Sequence, residues 1–199
     1  MSCLSSCSSN FACLFYLQIC WDNRFEDHGG ERCLVTIDGV DFEIPEPIPF
    51  DSKWYSHKFG GPGLRYEIGV CIKTGKIVSY NGPLECGRWP DLKIFRSKLK
   101  QMLSLGEKVV ADRGYRGETR IIAPDSARDG RHYKAMNNAR ARHETINGRL
   151  KTWGILKPVF RHGRDKHHIA FRAILVLTEI AIENGHPPFQ VDALGDRII

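Results

Sequence analysis

Three carboxylates in this chain stand where hydrolytic metal chemistry would need them. Asp38 lies in Thr36-Ile37-Asp38-Gly39, and Asp112 in Val109-Val110-Ala111-Asp112-Arg113-Gly114-Tyr115. Glu144 closes Arg140-Ala141-Arg142-His143-Glu144 and is followed by Asn147-Gly148-Arg149-Leu150-Lys151. Each Asp ends or interrupts an apolar, β-prone run, whereas the Glu sits in a basic, helix-prone run. A pair of divalent ions can turn water into a nucleophile for breaking a phosphodiester. Mg²⁺ prefers a few carboxylates together with water and phosphate oxygens, and three carboxylates on separate elements can hold such a pair. On a helix Arg140, Glu144 and Lys151 fall within a sector of roughly 60°. One face then carries a metal-seeking carboxylate between two phosphate-seeking cations. The same spacing also suits a solvated i,i+4 ion pair worth only about 0.2–0.5 kcal/mol. Plainer readings compete elsewhere too. Asp38-Gly39 is a common turn pair, and Asp112 could cap a strand end. Asp91, in Trp89-Pro90-Asp91, is a rival for the second carboxylate that a helix N-cap role explains.

The elements that must position these groups follow from hydrophobic periodicity. Residues 33–44 alternate and read as a strand carrying Asp38. Pro45, Pro47 and Pro49 then break regular structure, and 52–63 reads as a loop rich in Gly, Lys and aromatics. A second strand over 64–72, a turn at Thr74-Gly75 and a third strand over 76–80 form a hairpin. A helix capped by Asp91 is predicted from 92 to about 103, with Ile94, Phe95, Leu99 and Met102 on its apolar face. Residues 108–112 form a short buried strand that ends at Asp112, and 124–131 a polar loop. Helices are predicted over 133–153, weakened by Gly148, and over the apolar 168–184, which stops at Gly185-His186-Pro187-Pro188. The order is that of an α/β ribonuclease H-like core: an antiparallel three-strand meander plus a parallel strand in a mixed sheet, flanked by helices. It would bring Asp38 and Asp112 onto neighbouring strands. Residues 1–30 read as a ragged segment, 31–185 as the core and 186–199 as a tail.

Composition narrows the partners. The 199 residues carry a net charge of +6. Residues 113–172 hold 15 Lys+Arg against 5 Asp+Glu, so the rest of the chain is net acidic and the basic part suits a polyanion. Seven cysteines at 3, 7, 13, 20, 33, 71 and 86 include no Cys-x-x-Cys, which argues for reduced thiols and against a zinc ribbon or a disulfide framework. Residues 11–21 are apolar but too short to span a bilayer, and no basic start precedes them as in a signal peptide. The loop at 58–63 lacks the Gly-Lys-Ser/Thr of a phosphate-binding loop. His167 and His168, being adjacent, cannot aim at one metal from a helix face and read as surface or DNA-contacting residues.

The segments Thr-Ile-Asp-Gly-Val-Asp-Phe, Val-Ala-Asp-Arg-Gly-Tyr and Arg-His-Glu-Thr-Ile-Asn-Gly-Arg-Leu-Lys together resemble DDE transposases of the PIF/Harbinger-like group and their bacterial insertion-sequence relatives. The resemblance runs from about residue 21 to about 184. It implies a triad of Asp38, Asp112 and Glu144 holding two Mg²⁺ (or Mn²⁺), and strand cleavage and transfer on DNA. It implies DNA contacts for Arg140 and Lys151 and, at the neighbouring positions, for Arg113 and Lys58. The bacterial relatives carry Tyr three residues before the Arg, where this chain has Asn137. Only 37 residues precede Asp38, with Arg24 and Arg32 as their basic side chains, a poor start for a helix-turn-helix. The expectation is therefore a catalytic core whose targeting comes from a separate DNA-binding protein, with homodimerisation and, in a eukaryotic source, a nuclear location. The alternative is a domesticated or decayed transposase remnant that binds DNA without cutting it.

Overall fold

The computed structural model describes residues 19–26, 30–157, 159–191 and 194. Its centre is β1 (Cys33–Glu43), an eleven-residue strand with Val35, Ile37, Val40 and Phe42 buried. It is covered on both faces, and apolar residues on both sides of the pleat are buried. Strand β2 (Tyr55–Ser56) and strand β3 (Gly61–Cys71) follow, and β3 runs antiparallel to β1 with Asp38 opposite Ile68. Strand β4 (Ile77–Glu85) pairs antiparallel with β3, while β5 (Lys108–Val110) and β6 (Ile121–Ile122) continue the sheet on the other side of β1 in parallel. The mixed six-stranded sheet, read across its middle as β4-β3-β1-β5-β6, has the ribonuclease H-like topology.

Alternation along β1 sorts the core into two layers. Val35 and Ile37 pack with Val109, Ala111 and Tyr115 under helices α1 (Asp91–Ser97) and α2 (Leu99–Met102), which supply Phe95 and Leu99. Val40 and Phe42 pack on the opposite face with Tyr66, Ile68, Ile146, Leu150 and Phe171, the last three from α3 (Gly130–Thr152) and α4 (Arg164–Glu183). Asp129 starts α3 by accepting the His132 N–H at 2.8 Å, an N-cap that places the helix start earlier than hydrophobic periodicity does.

Several sequence expectations shift. The third strand runs on to Glu85 instead of ending at Tyr80, because an edge strand tolerates Pro83. The helix predicted over 92–103 is broken at Lys98 (φ −141°), whose ammonium binds the Tyr80 carbonyl at 2.9 Å. β6 is a two-residue strand with too short a pattern to read. Helix α4 begins at Arg164, so His167 lies in its first turn facing the sheet. It is fully buried, stacked on Tyr66 and hydrogen-bonded to that hydroxyl through Nδ1 at 2.8 Å. The surface or DNA-contacting role expected of His167 is thereby corrected, and burial pushes its pKa down to about 4. His168, next to it, is exposed. Within the first thirty residues, Trp21–Phe25 forms a 3₁₀ turn tied to the core: buried Arg24 pairs with buried Glu107 at 2.8 Å, and Trp21 Nε1 donates to the Met102 carbonyl. At the other end Val191 and Leu194 pack against Val110, Met136 and Ala139. Among the described residues Cys20, Cys33, Cys71 and Cys86 are free thiols, and no helix is long and apolar enough to cross a membrane. Cys3, Cys7 and Cys13 lie outside the described residues.

Candidate active site

Parallel pairing of β1 with β5 sets Thr36 beside Val110. Two residues further along each strand, and on the same face, stand Asp38 and Asp112. Asp38 is in mid-strand, not in a turn, and its Oδ1 accepts the Gly39 N–H at 2.8 Å. Asp112 lies two residues past the end of β5 and caps the 3₁₀ turn Arg113–Tyr115, accepting the Gly114 N–H at 2.8 Å through Oδ1. The strand-end cap and a role in the site are therefore compatible, since the cap uses one carboxylate oxygen. Helix α3 crosses above both. Glu144 and Arg140 on α3 line one cleft together with Asp38, Asp112, Thr36, Ile37 and His143.

The floor of the cleft is held by buried polar contacts. His143 Nδ1 and Thr36 Oγ1 are 2.9 Å apart, and full burial keeps the imidazole neutral, with its pKa pushed down to about 3. One turn after His143, Asn147 donates from Nδ2 to Asp38 Oδ2 at 2.9 Å. Burial raises the pKa of Asp38, and the negative charge of Asp112 adds to this, while Lys58, the Gly39 N–H and Arg140 oppose it. Among the described residues none of Asp38, Asp112 and Glu144 is in an ion pair.

A fourth carboxylate reaches the same end of the sheet. Asp91 was explained from sequence as a helix cap. The structure corrects this: Pro90 occupies the cap position, and Asp91 turns back to accept from Arg65 Nη1 at 3.1 Å. Its oxygens lie against the residues that follow the two site aspartates. The Cβ position of Gly39 is 2.9 Å from Asp91 Oδ1 and that of Gly114 is 2.7 Å from Asp91 Oδ2, so any side chain at either glycine would expel it. Burial raises the pKa of Asp91 against the pull of Arg65 and Lys58. Arg65 also holds Asp41 through Nε at 2.7 Å and Nη2 at 2.8 Å. Despite the cost of burial, these bonds and the one from Ser56 keep Asp41 below the ordinary carboxylate pKa.

The predicted cations divide. Lys58 comes to the site, with its ammonium on the Gly39 carbonyl. Arg140 lines the cleft and, with Arg113, Asp112, Tyr133 and Asn137, an adjoining groove bounded by Pro124 and Asp125. Tyr133, half exposed, stands one helical turn before Asn137 in that groove, so an aromatic hydroxyl is present although it is displaced from the expected position. Lys151 is exposed in the last turn of α3 and lines neither the cleft nor the groove. Asn147, at Glu144 plus three on the same helix face, was legible from spacing. Asp91 and the Thr36–His143 contact were not, because each depends on elements far apart in the chain.

The donors in the cleft are hard carboxylate oxygens that are in no ion pair among the described residues, the kind that Mg²⁺ or Mn²⁺ takes. Among the described residues no three His, Cys, Asp or Glu side chains stand close enough to enclose an ion. The carboxylates line the cleft without closing on one point.

Residues 37–179 match the DDE superfamily endonuclease family, and the chain belongs to it. It is also similar to a probable transposase for insertion sequence element IS702 from Microchaete diplosiphon, with 29% identity over 144 residues, 65% of this chain and 50% of the relative. The chain thus spans about half the length of that curated relative. No solved structure matches. Membership of an endonuclease superfamily that generally uses divalent metals agrees with the donor set of the cleft.

Proposed function

We propose that this chain is a metal-dependent DNA endonuclease core, derived from or acting as a transposase, whose chemistry runs on Asp38, Asp112 and Glu144. The observation that supports it is the charge of the cleft: three carboxylates line it, and among the described residues none of them is in an ion pair. Each would be a ligand to Mg²⁺ or Mn²⁺, and two such ions would supply an activated water or 3′-hydroxyl nucleophile and stabilise the leaving oxygen. The chain's own residues do the rest. Asn147 fixes the Asp38 carboxylate, His143 and Thr36 give the cleft a rigid, uncharged floor, and Arg140 and Arg113 draw DNA phosphates along the groove beside Asp112. Lys151, further along α3, adds to the attraction for the DNA backbone.

The test is nicking of supercoiled plasmid. The wild-type chain is expected to nick with millimolar Mg²⁺ or Mn²⁺ and not in EDTA, and Glu144→Gln to fall to background. Nicking that survives Glu144→Gln, or fails with both metals, overturns the reading. A second reading, a DNA-binding remnant without catalysis, draws on the Asn147 bond to Asp38 Oδ2 and on the open spacing of the carboxylates. It requires salt-sensitive DNA binding with no nicking under either metal.

A further inference from the structure

The cleft uses one residue of the loop between β1 and β3 and leaves the rest unexplained. Among the described residues four of the thirteen large apolar side chains that are exposed lie within residues 48–59: Ile48, Phe50, Tyr55 and Phe59. Folding alone gives no reason to concentrate them there. The aromatic part is a built surface. The Gly87 and Arg88 N–H groups bind the Lys53 carbonyl at 2.8 and 3.2 Å. Ser56 Oγ donates to Asp41 Oδ2 at 2.5 Å and accepts the Lys58 N–H. Phe59 lies over Gly63, whose Cβ position is 2.5 Å from the Phe59 ring, so only glycine there admits it. Tyr55 meets His57 edge to face at 5.1 Å.

Cations interleave with these rings. Arg164, at the start of α4, sits over Trp54 at 4.7 Å. Lys53 is paired with Asp51, whereas Arg164 and Lys58 are in no ion pair among the described residues. Lys58 also joins the loop to the cleft through its bond to the Gly39 carbonyl, next to Asp38. Held rings alternating with cations are the surface that binds single-stranded nucleic acid, because every unpaired base offers a face to stack on. Bases inside a duplex are stacked on each other and cannot use such rings.

We infer that the loop at residues 53–59, together with Arg164, is a stacking subsite for unpaired nucleotides flanking the scissile phosphate, on the side of the cleft opposite the groove of Arg113 and Arg140. This rests on the DNA reading of the cleft and adds the form of the substrate: a strand locally freed from its duplex.

Binding in EDTA tests it, with three probes of one sequence: blunt duplex, the same duplex with a short single-stranded overhang, and the single strand. The wild-type chain is expected to prefer the overhang to the blunt duplex and to quench a 2-aminopurine placed in the overhang. The double variant Tyr55→Ala/Phe59→Ala should lose roughly 5- to 150-fold on overhang and single strand, change less than twofold on blunt duplex, and no longer quench. Tyr55→Phe should retain both properties. Equal loss on all three probes, no loss on any, or competition by an acidic peptide as effective as single-stranded DNA would each overturn the subsite. If the double variant does not fold, absence of quenching by the wild-type chain at every overhang position overturns it. Neither readout needs cleavage, so failure of the nicking test with overhang preference intact breaks only the catalytic reading.

Discussion

The two faces of the sheet treat their acidic side chains in opposite ways. On the face under α1, Asp41 and Asp91 share Arg65, each within hydrogen-bond distance of its guanidinium. On the face under α3, Asp38, Asp112 and Glu144 line a cleft with no ion pair among the described residues. The two sets meet on one strand, where Asp38 and Asp41 are three residues apart on β1. Strand alternation sends them to opposite faces. The ion-paired acids tie elements together; the acids of the cleft make no such tie.

Removing the support should have the largest effect on stability. Arg65→Ala leaves Asp41 buried without its partner and Asp91 free to move, and should cost about 3–5 kcal/mol, read as a lowered urea midpoint. Adding Asp41→Asn should recover a good part of that loss. If Arg65→Ala melts like the wild-type chain, the contrast between the faces is wrong.

A buried carboxylate on α4 sharpens the contrast, because it is in no ion pair among the described residues and does not line the cleft. Glu179 on α4 accepts the Ile77 N–H at 2.7 Å. Burial raises its pKa to about 7; that N–H and Lys76 oppose the rise, and Glu183 and Glu26 add to it. The folded state therefore holds a proton there that the unfolded chain gives up near the ordinary Glu value of about 4.3. Its contribution to stability is fully present below that value and is lost as pH rises through about 7. Glu179→Gln should flatten this fall and stabilise the protein at pH 8, by about 3 kcal/mol at most. Parallel stability curves for variant and wild type from pH 5 to 8 would exclude the effect.

On the other face the prediction concerns gain. Mg²⁺ or Mn²⁺ at about ten times its Kd should stabilise the chain by about 1.4 kcal/mol, seen as a higher Tm, and Glu144→Gln should abolish the shift. A metal-dependent shift of equal size in both proteins would place the ion elsewhere. The smallest effect belongs to the cations beside the cleft. Arg140→Ala and Lys151→Ala should each weaken DNA binding alike on every sequence and flatten the slope of log K against log salt by about one unit. A sequence-dependent loss would assign either residue to base reading instead of phosphate contact.

Part of this site was legible before folding was considered. The alternation around Asp38, the apolar run that stops at Asp112 and the helical spacing of Arg140 and Glu144 are local patterns, whereas Lys151, expected on the same face, lines neither the cleft nor the groove. Periodicity converts local patterns directly into strand and helix faces. The order of elements then determined that Asp38 and Asp112 occupy adjoining parallel strands. What only the tertiary structure decided are contacts between segments with no mutual signal in the chain. Asp91 is drawn from a helix start to Gly39 and Gly114 by Arg65, 26 residues away. Lys58 folds back onto the Gly39 carbonyl. His167, polar by type, is fully buried because the Tyr66 hydroxyl satisfies its Nδ1. Residue type and spacing say which side chains can do chemistry. Which of them receive a partner depends on what the fold packs against them, and here that alone separates the carboxylates held in ion pairs from those that line the cleft.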